Sequence, residues 1–208
     1  MTSQSASTWT LPAIVLALRD ATREAHERLD AAIPVLTPGL GLAAYHELLG
    51  RYLVAHRAVE SALDQCASAL ARVGVTLDER RKVPLLERDR AYVASLLVSN
   101  PDDVMPNAPF TLATPSAAWG ALYVVEGSTL GGQHILRSLQ SSELVRRHGL
   151  TSENGLAYFT GYGDRTATMW RQFLTALGDA DAVDPGERGA IIHAAQATFA
   201  LFERVLTQ

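Results

Sequence analysis

The chain lacks most of the residue patterns from which metal and redox sites are built. Its 208 residues hold one cysteine, Cys66, so an internal disulfide framework and a thiolate metal cluster are both excluded. There is no HExxH and no paired ExxH, so a di-iron carboxylate bundle lacks its ligands. There is no GxSxG, no glycine-rich phosphate loop and no CxxC. Lys82 is the only lysine. No basic run or basic-aromatic stripe appears, and the formal net charge is -4, so nothing favours nucleic acid. The N-terminal "MTSQSASTW" has neither a basic n-region nor an apolar h-region and does not read as a secretory signal. The longest apolar runs are about six residues, as in "AIVLAL", against the ~20 that a membrane span needs. The expectation is a soluble, cytoplasmic protein with no nucleic-acid or membrane partner.

What is present is apolar side chain at helical spacing. Hydrophobic residues make up 48% and charged residues 19%, a balance that supports a packed core rather than disorder. Strand-type alternation is hard to find. Leu42, Tyr45, Leu49, Tyr52, His56, Val59, Leu63, Cys66, Leu70 and Val73 recur at steps of three and four, one long stripe with a bend at Gly50. Thr10 with Pro12 starts a first helix that runs to about Ala32, with Ile14, Leu18, Ala21, Ala25, Leu29 and Ala32 on one face. Asp78 caps a third helix, interrupted at Pro84, that continues through Tyr92 to Val98. Thr114 and Pro115 start a helix rich in glycine. Asp164 caps another that ends at Gly178, with Trp170 and Phe173 inward. The last begins at Asp184-Pro185, with Glu187 placed for a capping box, and buries Ile191, Ala195, Phe199, Phe202 and Leu206. The fold class is all-α, with seven or eight helices: a flexible tail over 1–10 and a single domain over 11–208.

Two segments stand out chemically. In "YVVEGSTLGGQHILRSL", Gly120 upstream and then Gly127 and Gly131 are spaced by seven and four, so they share one helical face. Each glycine costs a helix roughly 0.5–1 kcal/mol relative to alanine. Either a second helix crosses closely there, or a flat ligand lies against the bare backbone beside Ser128. The spacing alone does not choose. In "LRDATREAHERLD", Arg19, Thr22, Arg23, His26 and Asp30 lie on or near one face. A histidine whose second ring nitrogen is held by a carboxylate is a better-oriented metal ligand, and arginines beside it can pair with a ligand's carboxylates. The plain alternative is the solvated face of an amphipathic helix. His56, inside the apolar stripe, reads as a hydrogen-bonded core histidine. His134 follows the glycines and either reaches the same cavity or faces solvent.

Taken together these segments resemble a haem oxygenase, most closely the bacterial branch that supplies biliverdin to bacteriophytochromes. "LRDATREAHERLD", "YVVEGSTLGGQ" and "TFALFERVL" carry the resemblance, over roughly 11–206. It implies a single-domain helical bundle with haem between a proximal helix and a kinked distal helix. It places the iron ligand on His26, its acidic partner on Asp30, and the propionate anchor on Arg19, with Thr22 and Arg23 in the same haem-binding group. The distal close-approach positions fall on Gly127 and Gly131, with Ser128 where animal enzymes carry aspartate; these three are the expected catalytic positions. Arg171 is a further anchor candidate. Asp30, often glutamate in the family, implies a longer or water-mediated bond to His26. The resemblance implies ring opening of haem to biliverdin, carbon monoxide and ferrous iron. Haem is then both cofactor and substrate, O2 the co-substrate, and reduced ferredoxin or a flavin reductase the external donor. Two other readings compete: a haem carrier or sensor on the same scaffold, and a relative acting on another small molecule, such as a thiamin-salvage hydrolase. The second would need a nucleophile, for which Cys66 on an apolar stripe is a poor candidate.

Overall fold

The structure is a computed structural model, described over residues 10–33, 39–98 and 106–207. All of the expected 1–10 tail except Thr10, the start of the loop after Val98, and the first proline after α1 lie outside the described residues. Nine α-helices are found among the described residues: α1 (Ala13–Ala32), α2 (Leu42–Asp64), α3 (Ala67–Arg72), α4 (Val83–Ser95), α5 (Ala117–Ser141), α6 (Glu143–His148), α7 (Ala157–Thr160), α8 (Thr166–Val183) and α9 (Arg188–Leu206). Three short 3-10 turns, at Asp78–Arg80, Gly163–Arg165 and Pro185–Glu187, fill gaps between them. The β content of the described residues is one isolated bridge, Thr151 to Gly155. No helix among them is long and apolar enough to cross a membrane.

α5 is the axis of the fold. Its N-terminal half is buried on nearly every side, from Ala117 to Glu126, which is the expected state of a helix that is apolar all round. α9 packs along it, α1 packs on α9, and α2 lies against α4 and α9. The five α9 positions read as buried, Ile191 to Leu206, are all in the core.

Several boundaries differ from the sequence reading, each for a local reason. Pro12 itself is the residue before α1, and Thr10 makes no side-chain cap. The α2 stripe breaks at Gln65–Cys66; beyond the break Leu70 is still buried, whereas Val73, past the end of α3, is 51% exposed. Pro84 sits in the first turn of α4, where its missing N–H is harmless, rather than interrupting a longer helix. α8 runs through Gly178 to Val183. Gly178 is there for close approach instead of termination: a Cβ on it would stand 2.7 Å from Pro12. Glu187 forms no capping box; its carboxylate accepts from Thr114 Oγ1 at 3.4 Å. Thr114 is not the residue before α5, which is Ser116, but its hydroxyl accepts from the Ala117 N–H at 3.2 Å and closes the turn that leads in.

Candidate active site

The α1 stripe fades along the helix, and that is how the site arises. Ile14, Val15, Leu18 and Thr22 are buried, Ala25 and Leu29 are half-covered, and Ala32 is exposed. The second half of α1 touches the core only through partly buried side chains such as Ala25 and Leu29, and a cavity of about 570 Å³ is lined by it and by α5. That volume is within the range of ordinary ligand sites. Arg19, Arg23, His26 and Asp30 line it from α1, and Gly127, Ser128 and Gly131 from α5. Much of the remaining wall is aromatic, with Tyr52, Tyr123, Tyr158, Phe159, Trp170, Phe199 and Phe202, and most of the rest is aliphatic, including Leu29, Val124 and Ile135.

The glycines divide into two kinds. A Cβ on Gly120 would lie 1.9 Å from the Ile191 carbonyl oxygen and 2.8 Å from the Ala195 nitrogen, so this glycine exists for the α5–α9 crossing. A Cβ on Gly127 would meet only the rim of Trp170 at 3.7 Å, and one on Gly131 would meet nothing within 4 Å. Both alternatives left by the spacing are therefore used, at different glycines. α5 continues unbroken through all of them.

Across the cavity, Asp30 Oδ2 lies 3.0 Å from His26 Nδ1. The contact is direct, against the expectation of a longer or bridged one; the shorter aspartate reaches because both residues are on one helix, four apart. A carboxylate at Nδ1 holds the proton there and leaves the Nε2 lone pair available. The ring of Phe199 stands edge-on to that of His26 at 5.9 Å between centroids. Arg23 forms an exposed ion pair with Asp20. Thr22 lies outside the cavity: it is buried and donates to the Leu18 carbonyl at 2.7 Å. Burial raises the pKa of the nearby Tyr123, and the neighbouring Arg19 and Thr22 oppose the rise. Arg171 is also elsewhere, on a wider groove between α3, α8 and the start of α5. His134 is exposed and does not line the cavity.

The back wall comes from a segment that sequence reasoning read as irregular, "GLTSENGLAYFTGYGD". Its strap, residues 155–163, carries Tyr158 and Phe159 and is fastened from two sides. Asp89, fully buried on α4, accepts from the backbone N–H groups of Gly155, Ala157 and Tyr158 at 3.0, 3.0 and 2.7 Å. On the other side Tyr162 donates to Glu126 at 2.6 Å, and Gln133 donates to the Thr160 carbonyl at 2.8 Å. Gly161 and Gly163 take the positive φ values, 54° and 58°, that turn the chain there. Replacing Asp89 with alanine strands three buried donors, each worth about 1–3 kcal/mol. Urea unfolding should show a loss of about 3 kcal/mol or more; a loss under 1 kcal/mol would mean the strap is held without it.

Glu126, next to Gly127, also pairs with buried Arg80, and Lys82 Nζ lies 3.6 Å from it. Lys82 is 1% exposed and is occupied by the Arg80 carbonyl and the Tyr162 hydroxyl. Burial lowers its pKa, against the pull of Glu126 and Glu60. The only lysine is thus no part of the cavity lining.

His56 is a core histidine, as read. It is fully buried with Nε2 2.9 Å from the Tyr158 hydroxyl. Burial first, and then the charge of Lys82, lower its pKa from 6.5 to about 3. The unfolded chain therefore binds a proton at this position, between about pH 6.5 and 3, that the fold does not accept. The stability is fully present above 6.5 and falls with pH through that window, by at most about 1.4 kcal/mol per unit. His56→Phe should flatten the decline of melting temperature between pH 6.5 and 4.5. A slope equal to that of the unmodified protein would place the acid lability elsewhere.

Nothing in one sequence distinguished the aromatic lining from ordinary core. Phe199, Phe202 and Trp170 have helical core spacing, and their open side follows only from the gap between α1 and α5.

The chain also matches known proteins, in sequence and in fold. A family model described as "Heme oxygenase" matches residues 13–208. A heme oxygenase of Xanthomonas campestris pv. campestris (strain 8004) is 32% identical over 163 residues, 78% of this chain and 88% of that protein. Among solved structures, the NO- and CO-bound heme oxygenase from Neisseria meningitidis superposes with a TM-score of 0.72 at 21% identity, covering 95% of this chain and 91% of that one. Heme oxygenase-1 from the cyanobacterium Synechocystis sp. PCC6803, in complex with heme, gives 0.70 at 17% identity, covering 93% and 90%.

Proposed function

This chain belongs to the haem oxygenase family, enzymes that degrade haem, and on that premise we propose that it opens the haem ring to biliverdin, with release of carbon monoxide and ferrous iron. The observation that carries the reading is the facing pair: a histidine oriented by Asp30 on one wall, and on the other two glycines, Gly131 with open space before it and Gly127 with only the rim of Trp170 in reach. The residues fit haem. His26 Nε2 is available to hold the iron, Arg19 and Arg23 stand at the rim for the propionate carboxylates, and the aromatic wall suits a flat apolar ring.

Bound haem supplies both the redox centre and the carbon skeleton that is consumed. The chain's own residues do the rest. Asp30 keeps His26 in one tautomer and one orientation. Arg19 and Arg23 fix the in-plane rotation of the ring and thereby which meso carbon faces the glycine wall. Gly127 and Gly131 leave room for O2 and put no acid or base beside it, which removes the group that would otherwise cleave the O–O bond. Tyr123, Trp170 and Phe159 exclude bulk water. Electrons come from an external donor, reduced ferredoxin or a flavin reductase, in the cytoplasm. A bacteriophytochrome is the proposed acceptor of the biliverdin.

The test is a haemin titration followed by reductant in air, recorded as visible spectra. Soret decay with growth of a broad red band is expected. A Soret band that persists under reductant would support the carrier reading, and its absence on adding haemin would discard haem altogether.

A further inference from the structure

The wall opposite His26 is poor in polar groups, so those that reach it are informative. Gly127 and Gly131 present no side chain. Thr129 donates its hydroxyl proton to the Glu126 carbonyl at 2.6 Å, and Ser128 donates to the Val125 carbonyl at 2.8 Å. α5 thus shows the cavity lone pairs but no side-chain proton from these positions. Tyr158 borders the same space from the strap. Its hydroxyl lies 2.9 Å from His56 Nε2. His56 is 0% exposed, and its Nδ1 has no hydrogen-bond partner among the described residues.

A neutral imidazole carries one N–H. With the proton on Nδ1, a buried donor has no acceptor and the Tyr158 proton is committed to Nε2. With the proton on Nε2, His56 donates to the Tyr158 oxygen and Tyr158 donates onward. That arrangement strands no buried donor, and leaves only a bare lone pair on the inner edge of a ring packed perpendicular to Phe202.

The geometry points to Tyr158 as the hydrogen-bond donor to a small ligand on the glycine side of the cavity, with His56 as the positioning residue that keeps the tyrosine proton turned toward that ligand. The inference rests on the haem reading, since the ligand is then a diatomic molecule or water on the open face of the ring. It adds a direction to the site. The donors run from His56 to Tyr158 to the cavity, and the line ends at the unpartnered Nδ1. No proton arrives from the interior along it. Tyr158 orients the ligand, and the protons consumed in the reaction enter from the solvent side.

Two readouts test this, and one needs no haem. Long-range 15N correlation spectra of the apoprotein report the His56 tautomer. Protonation at Nε2 is expected, and a proton on Nδ1, or on both nitrogens, overturns the proposal. With haemin and reductant added, the infrared stretch of bound carbon monoxide reads the polarity beside the ligand. Tyr158→Phe, which keeps the ring, should move the stretch to higher frequency and speed oxygen dissociation about fivefold, the worth of one ordinary hydrogen bond. His56→Leu should move the stretch the same way with Tyr158 still present, and His56→Gln, which retains an N–H, should restore it. An unmoved stretch in Tyr158→Phe beside a normal Soret band overturns the donor role. Equal shifts in His56→Leu and His56→Gln overturn the positioning role. If the unmodified protein gives no Soret band, the haem reading fails and the proposal with it, while the tautomer stays measurable and tells the two failures apart.

Discussion

His26→Ala is expected to give a folded protein that has lost its chemistry. The His26 side chain is 61% exposed, and its packing partner is the edge of Phe199, so truncation should change unfolding free energy by no more than about 0.5 kcal/mol. Haemin binding is another matter. Loss of an outer partner of a metal ligand already weakens a site by 10–100-fold, so loss of the ligand should exceed about a hundredfold. The Soret band should weaken or shift, and turnover should stop. Added imidazole should restore part of both, because the space vacated by the side chain opens onto the cavity. Asp30→Ala should fall between, with the ligand present but no longer held. A His26→Ala protein with an unaltered spectrum and normal turnover would remove His26 from its role.

The second large effect separates the glycines. Gly120→Ala places a methyl group 1.9 Å from the Ile191 carbonyl oxygen, a contact that α9 must move to avoid. Alanine gains about 1 kcal/mol in helix propensity. Parting the α5–α9 contact, the largest in the fold, costs more, on the scale of overpacking at 1–3 kcal/mol or above. Gly131→Ala meets nothing within 4 Å and should raise stability by roughly 0.5–1 kcal/mol. Gly127→Leu should leave the melting temperature close to that of the parent while impairing haemin binding or blocking turnover, since the new side chain points into the space the ligand needs. Normal turnover in Gly127→Leu would mean that these glycines serve packing, as Gly120 does.

These substitutions also mark how far the sequence could be read. The α9 face and the core of α2 were legible, because a buried stripe against one neighbour leaves a strict three-four repeat. The pairing of His26 with Asp30 was legible for the same reason: it lies within one helix. What stayed hidden depends on two elements meeting. Gly120 and Gly127 have the same spacing relation to their neighbours, and only the approach of α9 makes one a crossing point and the other a wall. Tyr158 was hidden more deeply. It lies in a four-residue helix whose position is set by Asp89, 69 residues earlier, and no periodicity announces a carboxylate that collects three backbone donors from another segment. Thr22 misled in the opposite sense, since a hydroxyl on the right helical face can still turn back onto its own backbone.

The fading stripe of α1 has a mechanical consequence. The first half of the helix is clamped by Ile14, Val15 and Leu18, whereas the second half overhangs the cavity like a cantilever, steadied by the Phe199 contact and the exposed Arg28–Glu203 pair. The opposite jaw, α5 with its strap, is pinned by buried charges and cannot yield as cheaply. Opening is therefore asymmetric, and the beam that bends is the one bearing His26. Amide hydrogens from Arg23 to Ala32 should exchange well before those of α5 in the empty protein, and slow once the cavity is filled. Whatever sits there is the missing keystone of its own arch, so each turnover that destroys it also loosens the arm that must lift to let the product leave.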